Sequence, residues 1–118
     1  MNNRLDVKEK QNKYHNKKVY FGERKFDSIK ERDRYAQLWQ LELLGIIKDL
    51  KCQVKFELQP AFEKNGIKYR AITYIADFTY KQDGQLIVED VKGYRTKEYQ
   101  IKKKLFEYKY KEVIFKEV

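Results

Sequence analysis

The sequence predicts a mixed α/β domain in the order helix, three-strand antiparallel meander, helix, strand. Three observations predict it. An amphipathic stretch opens at Ser28 and closes near Gly45. Two hairpin signals, Asn65-Gly66 and Asp83-Gly84, punctuate a region rich in Ile, Tyr, Thr, Phe and Val. A second helical stretch after Thr96 is followed by the apolar run Val113-Ile114-Phe115.

Residues 1–18 are polar and basic with little periodicity and read as a flexible N-terminal arm; 19–118 read as one domain. Val19 to Phe26 forms two short strands about a turn at Gly22. Ser28 with Glu31 three residues on fits a capping box. Tyr35, Leu38, Trp39 and Leu43 give the first helix its apolar side, and Gly45 suits its end. From Cys52 the texture turns to β: Val54, Phe56 and Leu58 alternate with polar residues until Pro60. The next strands run Ile67 to Tyr80 and Gln85 to Lys92. Thr96 caps a helix over roughly Lys97 to Tyr110, with Ile101, Leu105 and Tyr108 inward and Lys102 and Lys103 more exposed. The closing strand-helix-strand step calls for a right-handed crossover and a parallel last strand pair.

Composition excludes several chemistries. With 118 residues, 27 Lys+Arg and 18 Asp+Glu, the formal net charge is +9, which points to an anionic partner, nucleic acid first. One Cys and one His leave no disulfide framework within the chain and no zinc site needing several such ligands. No apolar run approaches the ~20 residues of a membrane span, and the N-terminus shows no signal-peptide core. A soluble cytoplasmic protein without a small-molecule cofactor is the expectation.

The second hairpin carries the sharpest chemical reading. A two-residue turn at Asp83-Gly84 sets Gln82 opposite Gln85 and, stepping outward, Phe78 opposite Glu89 and Asp77 opposite Asp90. Such pairs have Cβ atoms ~5 Å apart on one face, where two carboxylates repel. A hard divalent cation resolves that conflict, since Mg²⁺ takes oxygen ligands and is often held by one or two carboxylates. Lys92, two residues after Asp90, shares its face. Acidic-x-Lys recurs in this chain (Asp6/Lys8, Glu23/Lys25, Asp49/Lys51, Asp90/Lys92, Glu107/Lys109). Only Asp90/Lys92 lies on an apolar strand across a hairpin from another Asp. Two carboxylates, a metal and a lysine suit hydrolysis of a phosphodiester; an exposed face where both Asp residues salt-bridge Lys92 is the structural alternative.

Ala76-Asp77, then Asp90-Val91-Lys92, with Glu31 on a preceding helix, resemble the PD-(D/E)XK nuclease superfamily, whose restriction-endonuclease-like core has the element order predicted above. More narrowly, Phe26-Asp27-Ser28…Glu31…Tyr35, Tyr69 to Phe78 and Val88 to Gly93 resemble a family of small phage and prophage proteins. The resemblance implies Asp77 and Asp90 as metal ligands, Lys92 as the motif lysine and Glu31 as a further acidic ligand. All four would be catalytic, with Mg²⁺ or Mn²⁺ as cofactor. Ala76 stands where the motif's name has Pro, and Gln100 is followed four residues later by Lys104 rather than Tyr. For Glu31 a helix-capping role competes with the metal role.

Arg70, Arg95, Lys97, Lys102 and Lys103 flank this site in the sequence reading and are candidates for phosphate contacts. Tyr94 and Tyr99 either stack on bases or belong to core and rim. Small, basic, single-domain members of the superfamily resemble archaeal-type Holliday junction resolvases. That resemblance implies a homodimeric endonuclease on branched DNA, in phage recombination or DNA processing within the host cytoplasm. The competing expectation is a non-catalytic nucleic-acid-binding module on the same fold.

Overall fold

The computed structural model describes residues 18–118; the basic arm expected over 1–18 therefore lies almost wholly outside the described residues. The chain divides into two compact units, Met1–Gln37 and Leu38–Val118, and the division falls within the first helix.

In the first unit, β1 (Val19–Phe21) and β2 (Arg24–Phe26) form a tight hairpin about Gly22. Gly22 adopts φ 62°, which glycine reaches without steric penalty. Phe21 and Phe26 pack their rings on Tyr35, at 5.5 and 5.1 Å between centroids. Helix α1 spans Ile29–Leu43. Ser28 Oγ accepts the backbone N–H of Glu31 at 3.1 Å, satisfying one of the donors that a helix start leaves open. At the other end, in the second unit, Gly45 N–H bonds the Glu42 carbonyl and Ile46 N–H the Leu41 carbonyl. With φ 77° at Gly45, this is the left-handed cap expected of a glycine after a helix.

The second unit is built on a four-stranded mixed sheet ordered β3-β6-β7-β8, from β3 (Lys48–Gln59), β6 (Ile72–Gln82), β7 (Gln85–Asp90) and β8 (Ile114–Glu117). β3, β6 and β7 run antiparallel in turn, and β8 lies parallel to β7 after helix α2 (Lys97–Lys109). β3 begins four residues earlier than the sequence suggested. Its first turn of chain is charged, and Asp49 sits at φ 57° where the register shifts between Lys48 and Lys51.

Between β3 and β6 stand β4 (Phe62–Lys64) and β5 (Ile67–Tyr69), a two-stranded piece joined by Asn65-Gly66. Gln59 pairs with Ile72 and Phe62 with Tyr69, so both pairs keep one register. The β4–β5 hairpin is thus the outer end of the β3–β6 ribbon. Pro60, which has no N–H to give, interrupts the ladder between the two parts.

Helix α2 packs on one face of the sheet. Its core joins Tyr74, Ala76, Val88, Tyr99 and Phe106, with Phe56, Tyr110 and Phe115 against it. The Phe106 ring is surrounded by Phe56, Tyr110, Tyr74 and Phe115 at centroid distances of 5.0, 5.0, 5.3 and 5.7 Å. The inward face of α2 therefore differs from the sequence expectation. Tyr99 and Phe106 are buried, while Ile101 is 60% and Tyr108 72% exposed, and Leu105 is exposed as well. The helix carries two apolar stripes, and the aromatic one fills the sheet's surface. Lys102 and Lys103, expected outside, are only half-buried. Phe78, Tyr80, Ile87 and Glu89 are buried too, and their pairing places them on the opposite face. Among the described residues no helix is long and apolar enough to cross a membrane.

Candidate metal centre

The β6–β7 ladder follows the predicted register from Gln82↔Gln85 to Phe78↔Glu89. One step beyond its last pair come Asp77 and Asp90. Here the strands stop exchanging backbone bonds: Val91 N–H donates to Asp77 Oδ2 at 2.8 Å, so a side chain replaces the carbonyl of a regular ladder. The other edge of β7 stays pinned. Val118 N–H bonds the Asp90 carbonyl at 2.9 Å and Lys92 N–H bonds the Val118 carbonyl at 3.2 Å. The end of β8 thereby fixes the backbone that carries Asp90 and Lys92.

A break in strand alternation shapes this point. Tyr74 and Ala76 share a core cluster with Val88, yet Val88 pairs with Thr79. Three positions separate Ala76 from Thr79, so the inside-outside alternation slips by one around Asp77. On β3, the residue in register with Asp77 is Gln53, and its backbone takes φ 55°. A non-glycine residue held there costs about 1 kcal/mol or more and persists where its surroundings over-determine it. Gln53 Nε2 donates to Asp77 Oδ1 at 3.3 Å. Asp77 is thus held from both sides, by a side-chain amide on β3 and a backbone amide on β7.

Asp90 is buried and accepts a hydrogen bond from the Tyr74 hydroxyl at Oδ2. Asp77 adjoins it, one step past the Phe78↔Glu89 pair. Lys92 Nζ stands 3.5 Å from Asp90 Oδ2 and 4.0 Å from the centroid of the Tyr99 ring. Burial pushes the Asp90 carboxyl up to about 7; the adjoining Asp77 adds to the rise, while the Tyr74 hydroxyl and the Lys92 ammonium oppose it. Burial also raises the Tyr74 phenol, and the Asp90 carboxylate raises it further, so Tyr74 remains a donor.

Asp77, Asp90 and Lys92 are therefore brought together. Glu31 lies in the first turn of α1, in the other unit, where its backbone N–H makes the capping bond to Ser28. Among the described residues, no group of three or more His, Cys, Asp and Glu side chains is gathered where it could hold a metal ion. The donors at Asp77 and Asp90 are hard oxygens, and Mg²⁺ commonly takes one or two carboxylates and completes its shell with water and substrate phosphate. The Asp pair fits such an ion.

The expected phosphate-binding residues divide. Lys102 lines a cleft of about 370 Å³ together with Lys92, Tyr99, Tyr74 and Thr96. Arg95 and Lys103 line a neighbouring hollow of about 350 Å³ with Lys104 and Gln100. Both pair with Glu117, at 2.8 and 3.5 Å, and Lys102 pairs with Glu98 at 3.1 Å. The Arg95 bond and the Tyr99 hydroxyl hold the Glu117 carboxyl down to about 2. Lys97 is exposed at the start of α2, and Arg70 is exposed between β5 and β6. Tyr94 is exposed, whereas Tyr99 belongs to the core and to the Lys92 pocket.

Sequence reasoning missed Gln53 and Glu89. Nothing in Cys52-Gln53-Val54 signals a left-handed residue inside a strand. Glu89, beside Asp90 but on the other face, is buried with the Tyr80 hydroxyl donating to it; the predicted register, which sets Tyr80 diagonal to Glu89, is the signal that could have found the pair.

The sequence model of the family described as "Protein of unknown function (DUF1064)" matches residues 11–118. The chain belongs to this family. The match takes in both units, so the DUF1064 unit includes the hairpin bearing Asp77 and Asp90, helix α2 and the β4–β5 ribbon end. Comparison with curated proteins and with solved structures gave no match.

Proposed function

We propose that this DUF1064 protein is a divalent-metal-dependent DNA endonuclease with a PD-(D/E)XK core, hydrolysing phosphodiester bonds. The observation that carries the reading is the meeting of Asp77 and the buried Asp90 at the open end of a hairpin, with Lys92 Nζ 3.5 Å from Asp90. Two carboxyl groups placed so are costly without a cation between them. The β3-β6-β7-β8 order and the parallel closing strand also agree with the core that the resemblance implies.

Asp77 and Asp90 would hold Mg²⁺ or Mn²⁺, which supplies Lewis-acid activation of water and neutralises charge on the scissile phosphate. Gln53 and the Val91 N–H fix the orientation of Asp77, and Tyr74 fixes that of Asp90. Lys92, on the cleft side, orients the attacking water or meets negative charge developing at phosphorus. Lys102 borders the same cleft, and Arg95 and Lys103 the next hollow, a path for the neighbouring phosphates. The resemblance implies Glu31 as a further acidic ligand, a role that its own variant tests. The resemblance extends it to branched DNA cut by a homodimer, whose two-fold symmetry suits paired strand cuts. The test is cleavage of four-way junction, flap, single-stranded and linear DNA with Mg²⁺, Mn²⁺ or EDTA, using wild type and Asp77→Asn.

A further inference from the structure

We infer that the β4–β5 hairpin is a nucleic-acid-reading arm that stacks unpaired bases on the Phe62–Tyr69 pair. All six of its strand residues are exposed, although it keeps the register of the last β3–β6 pair, Gln59↔Ile72. The chain thus extends a ribbon past the sheet that stabilises it. Exposed hairpins of this length are marginal alone, and an aromatic pair at their surface is unusual without a partner.

Pairing puts Phe62, Tyr69, Lys64 and Ile67 on one face and Glu63 and Lys68 on the other. The Phe62 and Tyr69 rings are 4.7 Å apart and 14° from parallel, each 44% exposed, and Ile67 beside them is 54% exposed. The two rings stack on each other, and each keeps an outer π face on which any base can stack regardless of sequence. Ile67, next to the Asn65-Gly66 tip, is an apolar wedge of the kind that enters an opened base step. The cations complete the match. Lys64 lies on the ring face, Lys68 stands opposite Glu63 on the other, and Arg70 stands at the base of the arm, with Glu63 the one acidic residue among them. An apolar protein surface would explain the rings but not this charge, in a chain whose formal net charge is +9. The occupant is therefore a nucleic acid with unstacked bases, at a branch point or in a single strand. This rests on the proposed action on DNA and adds the means of selecting its substrate.

The test measures binding of the full-length protein in EDTA, so that no cleavage intervenes, by fluorescence anisotropy. The probes are a single-stranded oligonucleotide, a four-way junction and a blunt linear duplex. Phe62→Ala/Tyr69→Ala should weaken single-strand and junction binding by roughly ten-fold or more, and duplex binding by less than about three-fold. Tyr69→Trp should restore the preference, and unchanged far-UV circular dichroism of both variants shows that the sheet is intact. A 2-aminopurine at the junction centre should change its fluorescence with wild type and not with the double variant. Equal loss on all three DNAs, or none, overturns the arm. A double variant that shifts the protein from dimer to monomer also overturns it, because the rings would then pack on a second copy. Metal-dependent cleavage with an unaltered preference in the double variant sinks the arm alone. An arm-dependent preference without cleavage in either metal sinks the nuclease reading alone.

Discussion

Gln53 donates its side-chain amide to Asp77 Oδ1 at 3.3 Å from a backbone held at φ 55°. A strand residue in that conformation carries strain, and the strain sits where the proposed metal ligand needs a second hydrogen bond. Gln53→Gly removes both features at once. Its stability should match or exceed wild type by up to about 1 kcal/mol, since glycine adopts positive φ freely. Its cleavage rate should nevertheless fall. Gln53→Val, β-branched at positive φ, should destabilise by about 1–2 kcal/mol. Thermal melts beside cleavage rates check this; a Gln53→Gly variant with full activity would show that the amide does not orient Asp77.

Glu31 can be assigned by a conservative change, because the helix cap uses its backbone N–H. Glu31→Gln keeps that N–H and the side-chain length. Stability from thermal melts should stay within about 0.5 kcal/mol of wild type, while cleavage drops if the carboxylate serves the metal. Unchanged cleavage would mean that the Glu31 carboxylate does not serve the metal.

The buried Asp90 carboxyl also predicts a pH dependence in the metal-free protein. Asp90 is raised from its usual 3.8 to about 7. A carboxyl raised by folding binds its proton more tightly in the native state, so its contribution is most favourable below about pH 4. That contribution declines as pH rises to about 7 and is constant beyond. In EDTA, wild-type stability should therefore fall between pH 4 and 7 relative to Asp90→Asn. Parallel melting curves for the two proteins across that window would contradict the shift.

The lysines of the cleft and of the neighbouring hollow give a salt-dependent prediction. Lys102→Ala/Lys103→Ala should make the dependence of log affinity on log salt shallower by up to about two, uniformly across DNA sequences of one shape. Lys103 also pairs with Glu117 and lies over the Phe115 ring, so a stability loss of at most about 1 kcal/mol per lysine should accompany it. An unchanged slope would mean that these lysines only neutralise Glu98 and Glu117.

Much of this was legible in the residues. The Asp83-Gly84 turn set the register from Gln82 to Phe78, and alternation then carried Asp90 and Lys92 to one place. Capping at Ser28 and Gly45 marked both ends of α1. The inward face of α2 was not legible, because Ile101-Leu105-Tyr108 and Tyr99-Phe106 both have helical spacing and only the sheet's shape chooses between them. The early start of β3 was hidden by Lys48, Asp49 and Lys51, whose charges read as loop. Gln53 was beyond reach for a different reason: nothing in its own or its neighbours' residue types signals a positive φ inside a strand.

The most direct test of the central claim is metal-dependent cleavage by purified wild-type protein beside Asp77→Asn, Asp90→Asn and Lys92→Ala. Four-way junction, flap, single-stranded and linear DNA are each incubated with Mg²⁺, Mn²⁺ or EDTA. The account predicts cutting by wild type with either metal and none in EDTA. All three variants should lose cleavage, and the two Asp variants should bind DNA as well as or better than wild type, since each removes negative charge near the phosphates. Wild-type protein that binds these DNAs tightly and cuts none of them with either metal would contradict it.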